Sequence, residues 1–215
     1  MLRVDEETLR PLEQEIFHAL CSRIDHILKT GDIDVIIFQD YDKGVISPAL
    51  IDFVTETAEE MNIPVTVDPK KQNFLFYRNV TLIKPNLAEM KEGLEMPDLT
   101  TDKKSLEEAA QKLSLLLNAP MVMNTLSEDG VFILWDDNGT PKNELIPAHR
   151  RNIADVSGAG DTVISVASLC LAAGVPAADI ARIANLAGGL VCEEAGVAPV
   201  NKDKLLAEAM RIFKP

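Results

Sequence analysis

Apolar residues at three- and four-residue spacing, Leu9, Leu12, Ile16, Leu20, Ile24 and Ile27, predict a helix over 6–29 that Gly31 ends. The pattern then changes to short β-branched runs bounded by turn residues, which predict buried strands. These runs cover 34–38, 64–67, 80–83 and 121–123. Between them the helical period returns. Ser47-Pro48 opens one helix to about Met61, with Pro48 in a first-turn position. Thr101 or Asp102 caps another to about Leu117, with Leu106, Ala109, Leu113, Leu116 and Leu117 on one face. Residues 71–79 have no clear period and predict a loop or short helix. Val131 to Trp135, Asn138-Gly139 and Leu145-Ile146 predict an antiparallel hairpin at the sheet edge. Three helices follow, over 159–173, 177–194 and 202–213.

Strands and helices that alternate over short connections predict an α/β fold, a doubly wound, mainly parallel sheet flanked by helices. No repeat, low-complexity tract or linker interrupts it, so 1–215 reads as one domain. In such a sheet, ligands bind at the C-terminal strand ends. Four polar segments fall there: 39–44, 68–70, 84–89 and 124–130.

Composition narrows the partners. The chain of 215 residues, 47% hydrophobic and 26% charged, has the length and content for one good core. Its net charge of −13 argues against nucleic acid and anionic membrane surfaces. It leaves ATP open, because backbone amides and a magnesium ion hold phosphate inside acidic proteins. Cys21, Cys170 and Cys192 are odd in number and lie in apolar or helical contexts, as in a reduced, cytoplasmic protein. The acidic start, Met-Leu-Arg-Val-Asp-Glu-Glu, has no signal-peptide core. The uncharged run from Thr162 to Ala178 falls short of a membrane span, and Gly174 and Pro176 interrupt it. His18, His26 and His149 are scattered and lack metal-ligand spacing.

One stretch concentrates chemistry: Asp155-Val156-Ser157-Gly158-Ala159-Gly160-Asp161-Thr162, a small-residue turn running into an apolar helix. The helix start points free N–H groups and the positive dipole end into the turn, which suits an anion, phosphate above all. A carboxylate there would repel phosphate. Asp161 makes better sense as a general base that takes a proton from an attacking hydroxyl. The plainer alternative is a helix start with Asp as a cap.

Residues 155–164, Asp-Val-Ser-Gly-Ala-Gly-Asp-Thr-Val-Ile, resemble the C-terminal signature of the ribokinase-like (PfkB) sugar kinases. They look most like the heptose-7-phosphate kinase branch, the kinase domain of ADP-heptose synthases. The resemblance implies an anion hole at Gly158, Ala159 and Gly160, with Asp161 as base. Val166 departs from the family's Gly or Ala, which a buried helix accepts by repacking. Lys84-Pro85-Asn86-Leu87-Ala88-Glu89 resembles the family's Asn-x-x-Glu motif, which implies that Asn86 and Glu89 organise magnesium and that Lys84 serves the phosphates. The same residues also read as a helix capping box. Thr125, Glu128 and Gly130 resemble the family's nucleotide loop, and Asn185 sits where the family often places a residue beside the adenine. A surface turn and a helix polar face remain open for these. Asp40, Lys43 and Lys70 resemble sugar- or phosphate-contacting positions of the heptose branch, although a lone loop lysine is commonly a solvated charge.

The family's domain carries a further N-terminal segment, with opening strands, much of the sugar pocket and a β lid, that has no counterpart from about Arg3 onward. The chain is therefore expected to be the C-terminal portion of such a domain, whether a fragment, a shortened form or a remnant. Its bared sheet edge would pair with a missing N-terminal polypeptide or a second copy. The expected partners are ATP, Mg2+ and a sugar phosphate, with no nucleic acid and no membrane. The function implied is phosphoryl transfer to a sugar hydroxyl. A nucleotide-binding or assembly module without turnover is the alternative.

Overall fold

A six-stranded sheet separates two helical layers. The structure, a computed structural model, describes residues 9–149 and 151–213. The strands β1 (Ile36–Gln39), β2 (Val65–Asp68), β3 (Leu82–Ile83) and β4 (Met121–Thr125) run parallel. β5 (Val131–Asp137) and β6 (Thr140–Ile146) complete the sheet antiparallel, and the order runs straight from β1 to β6. The hairpin turns at Asn138 and Gly139, with φ of 54° and 83°. Both values are left-handed, as a two-residue turn that follows the sheet's twist requires.

The helices are α1 (Gln14–Thr30), α2 (Pro48–Glu60), α3 (Leu87–Gly93), α4 (Lys103–Leu117), α5 (Ala159–Ala172), α6 (Ala177–Val191) and α7 (Lys202–Ile212). Alternating strand positions feed opposite cores, because side chains change face at every residue. Phe38, Val67, Ile83, Val122 and Leu134 join α1 to α4 in one core. Leu82, Met123, Val131 and Ile133 join α5 and α6 in the other. The second face also holds a buried polar pair: Thr66 of β2 and Ser168 of α5 share a hydrogen bond of 2.7 Å between hydroxyls. That pair fastens α5, the helix after the small-residue turn, to the middle of the sheet.

The first helix departs from expectation in extent and in face. α1 starts only at Gln14, so Leu9 and Leu12 precede it, and residues 6–8 of the expected helix lie outside the described residues. Ile16 and Ile27 are 54% and 41% exposed, whereas Phe17, Leu20, Cys21 and Ile24 pack on the core and Leu28 is buried. Spacing alone thus picked two residues that pack on the core, Leu20 and Ile24, and two that face solvent, Ile16 and Ile27. Residues 71–79 form consecutive turns. Phe74 and Tyr77 of that segment are buried, so it is a packed cover without helical period. Among the described residues no helix is long and apolar enough to cross a membrane.

Candidate active site

The C-terminal ends of β1, β2 and β3 meet the start of α5. After β1 the chain turns through Asp40-Tyr41-Asp42, with Asp42 at φ 53°. Asp40, read from the sequence as a sugar contact, is instead an internal anchor. It is 1% exposed; its Oδ2 accepts from the Tyr77 hydroxyl (2.6 Å) and Asn73 Nδ2 (3.0 Å), and its Oδ1 from the Asp42 amide (2.8 Å). Burial, and then the bonded Asp40, push the Tyr77 hydroxyl far above its ordinary range, so it stays a donor. Asp40 therefore holds the loop that carries Tyr41 and Lys43. Lys43 itself is exposed there.

β2 and β3 deliver a buried ion pair. Lys84 Nζ lies 3.1 Å from Asp68 Oδ1, and the two side chains are only 3% and 5% exposed. Lys70 Nζ stands 3.8 Å from the same oxygen and pairs closely with Glu89 Oε1. Burial pulls the Lys70 ammonium down, but Glu89 and Asp68 outweigh it and hold it above the usual lysine range. Glu89 in turn closes the capping box of α3. Its Oε2 accepts from the Asn86 amide and its own amide donates to Asn86 Oδ1, both at 2.8 Å. The capping box expected as the plain alternative is thus formed. It fixes a carboxylate and an amide oxygen at the site, and each keeps a second lone pair.

The small-residue turn folds onto this pair. Gly158 caps α5 at φ 78°, left-handed and suited to glycine. Asp155 holds the turn: its Oδ1 accepts from the Ser157 amide (2.9 Å) and its Oδ2 from the Gly196 amide (3.1 Å). Those amides, the Ser157 one foremost, keep its carboxyl below the usual carboxylate range. The Ala159 amide donates back to the Val156 carbonyl at 3.3 Å. Gly160 and Asp161 are the second and third residues of α5, so their amides have no acceptor within the helix. A Cβ on Gly160 would stand 3.7 Å from Lys84 Nζ and 4.0 Å from Asp68 Oδ2. The ammonium therefore lies beside the start of the helix. The Asp161 side chain stands at the same turn, exposed, with Oδ1 accepting from Gln39 Nε2 (3.0 Å) and the Tyr41 hydroxyl (3.3 Å).

The fourth strand end joins through Asn86. Asn86 and Thr125 form a parallel bridge, and the Thr125 amide donates to the Pro85 carbonyl at 3.0 Å. Glu128 stands exposed in the following turn. Gly130 closes the turn at φ 97°, where a Cβ would meet the Ile146 carbonyl oxygen at 2.1 Å; both facts demand glycine. Asn185 of α6 donates to the Pro147 carbonyl at 3.0 Å, on the segment that crowds Gly130. Gln39 and Asp68 join the sequence-predicted residues Asp161, Lys84 and Lys70, and Lys70 leads on through Glu89 and Asn86 to Thr125. Asn185 adjoins this run through Pro147. Three residues were missed: Gln39, Tyr41 and Asp68. Their one signal was position at a strand's C-terminal end.

Among the described residues no three His, Cys, Asp or Glu side chains gather as a metal cage. Magnesium on a nucleotide asks for less, one or two carboxylates with phosphates and water supplying the rest. Glu89 and Asn86, held fast and with lone pairs left over, fit that narrower demand. A depression of about 380 Å3 lies elsewhere, at the starts of β2 and β3, lined by Thr55, Asn62, Val65, Asn79 and Asn118.

A family model described as "pfkB family carbohydrate kinase" matches residues 6–204. The chain is 38% identical over 214 residues to the bifunctional protein HldE of Citrifermentans bemidjiense, covering 97% of this chain and 41% of that protein. The HldE of Trichlorobacter lovleyi is 34% identical, with 96% and 41% covered. The chain therefore spans about two fifths of the length of these curated relatives. Among solved structures, Escherichia coli phosphofructokinase-2 in complex with potassium has a TM-score of 0.78 at 19% identity, covering 92% of this chain and 62% of that one. Arabidopsis thaliana ribokinase complexed with ribose and ATP has a TM-score of 0.69 at 18% identity, covering 94% and 61%.

Proposed function

The chain belongs to the pfkB family of carbohydrate kinases, and from that premise we propose that it moves the γ-phosphoryl group of ATP to the anomeric hydroxyl of D-glycero-D-manno-heptose 7-phosphate. The observation that carries this reading is that Lys84 Nζ and Asp161 both stand at the first turn of α5, whose amides lack helical acceptors. The choice of a heptose rests on the run at 155–164 and on the HldE relatives.

Asp161 Oδ1 already accepts two donors, so Oδ2 is the oxygen left to take a proton. The sugar hydroxyl loses its proton to Oδ2, and its oxygen forms a bond to the γ-phosphorus. The bond from that phosphorus to the β–γ bridging oxygen breaks, and ADP leaves with the electron pair. Lys84 and the amides of Gly160 and Asp161 face the negative charge on the phosphoryl oxygens. Glu89 and Asn86 would hold magnesium through its water shell, and the ion when bound neutralises phosphate charge. Thr125, Gly130 and Asn185 supply the nucleotide wall.

Incubating the chain with ATP, magnesium and heptose 7-phosphate should give a new anomeric phosphate signal in phosphorus NMR. Fructose 6-phosphate in its place should give none. Transfer to fructose 6-phosphate alone would reassign the sugar. ATP binding without transfer to either would point to the nucleotide-binding module instead.

A further inference from the structure

Gln39 sits where two carboxylates converge. Its single Nε2 donates to Asp68 Oδ2 at 2.9 Å and to Asp161 Oδ1 at 3.0 Å. Asp68 belongs to the end of β2 and Asp161 to the start of α5. No other side chain among the described residues bridges the Lys84–Asp68 pair to Asp161. Gln39 is the last residue of β1, in register with Asp68, so the sheet itself aims the amide at both acids. Tyr41, two residues on, adds its hydroxyl to the same Asp161 oxygen at 3.3 Å. Burial first, and then Asp161, hold that hydroxyl above its ordinary range, so it too remains a donor.

The geometry points to Gln39 as the positioning residue of the transfer reaction, with Tyr41 as its helper. This inference rests on the phosphoryl-transfer reading above. Two donors on Oδ1 fix the rotation of the carboxylate and leave Oδ2 facing the acceptor. Without the amide, Tyr41 alone remains on Oδ1, and no hydrogen bond ties the carboxylate to Asp68 at the end of β2. The other charged or titratable groups turned toward this corner are Tyr41 on the β1 loop, Lys70 after β2 and Lys84 after β3. None of the three is removed by changing Gln39.

The test uses the full chain with Gln39→Met, which keeps the length and deletes the donor. Its kcat should fall on the order of tenfold with KM for ATP nearly unchanged, as misplacing a reacting group does. Gln39→Glu, which replaces the donor with a third carboxylate, should lower kcat further, and Tyr41→Phe should lower it less. A purely structural Gln39 would lower thermal stability and leave kcat in place, or move KM for ATP as far as kcat, and either result would overturn the inference. If Asp161→Asn stays as active as wild type, the transfer reading itself fails, and the two failures are told apart.

Discussion

Asp161→Asn is expected to lower phosphoryl transfer on the order of a thousandfold, the middle of the range for a lost general base. Asparagine has the same shape, and its amide oxygen still accepts from Gln39 and Tyr41, which now lie at 3.0 and 3.3 Å. The turn before it is held by Asp155 through the Ser157 and Gly196 amides, and the substitution touches neither bond. What disappears is one negative charge and one proton acceptor. ATP should therefore bind as tightly as before or more tightly, since a carboxylate beside the phosphates repels them. Steady-state kinetics and calorimetric titration with ATP read the two quantities separately. Turnover within about tenfold of wild type would remove Asp161 from the role of base. A parallel collapse of ATP affinity would instead place Asp161 in nucleotide binding.

The parts of this site that sequence reading reached are local. The capping box at Asn86 and Glu89 is legible because its partners are three residues apart, and the structure forms both of its bonds. The left-handed Asn138-Gly139 turn and the glycine at 130 are legible for the same reason. The Lys84–Asp68 and Gln39–Asp161 contacts are not. The second joins residues 122 positions apart, brought together by the register of β1 on β2, the Thr66–Ser168 bond and the apolar packing of α5 on the sheet. Asp40 shows the converse. A polar residue at a strand's end reads as a ligand, yet here the 71–79 segment folds over it and Tyr77 and Asn73 bond its carboxylate. That segment has no period to reveal its packing. The α1 stripe is legible only in part: Leu20 and Ile24 pack on the core, but with apolar residues on both sides of the helix, spacing cannot say that Ile16 and Ile27 face solvent.

The same non-local pair carries the second large effect. Lys84→Met is expected to cost about 3 kcal/mol of stability, since removing one partner of a buried ion pair strands the other charge. The loss sits at the low end of that class because Asp68 keeps Gln39 at 2.9 Å and Lys70 at 3.8 Å. For a chain of this size the loss corresponds to a melting temperature roughly 6–12 °C lower. Lys104→Met is the control. Its pair with Glu108 spans 3.9 Å with side chains 85% and 62% exposed, and such surface pairs contribute about 0–1 kcal/mol. Adding Asp68→Asn to Lys84→Met should recover a good part of the loss, because the stranded charge is then gone. ATP affinity should not recover with it. Lys84 Nζ is the ammonium beside Gly160, and a charge-assisted contact to phosphate contributes roughly 1.5–3 kcal/mol. Stability and binding should thus part company in the double variant. Recovery of both would mean that Lys84 serves only Asp68, and a single variant as stable as wild type would mean that the pair is not held out of water as its burial requires.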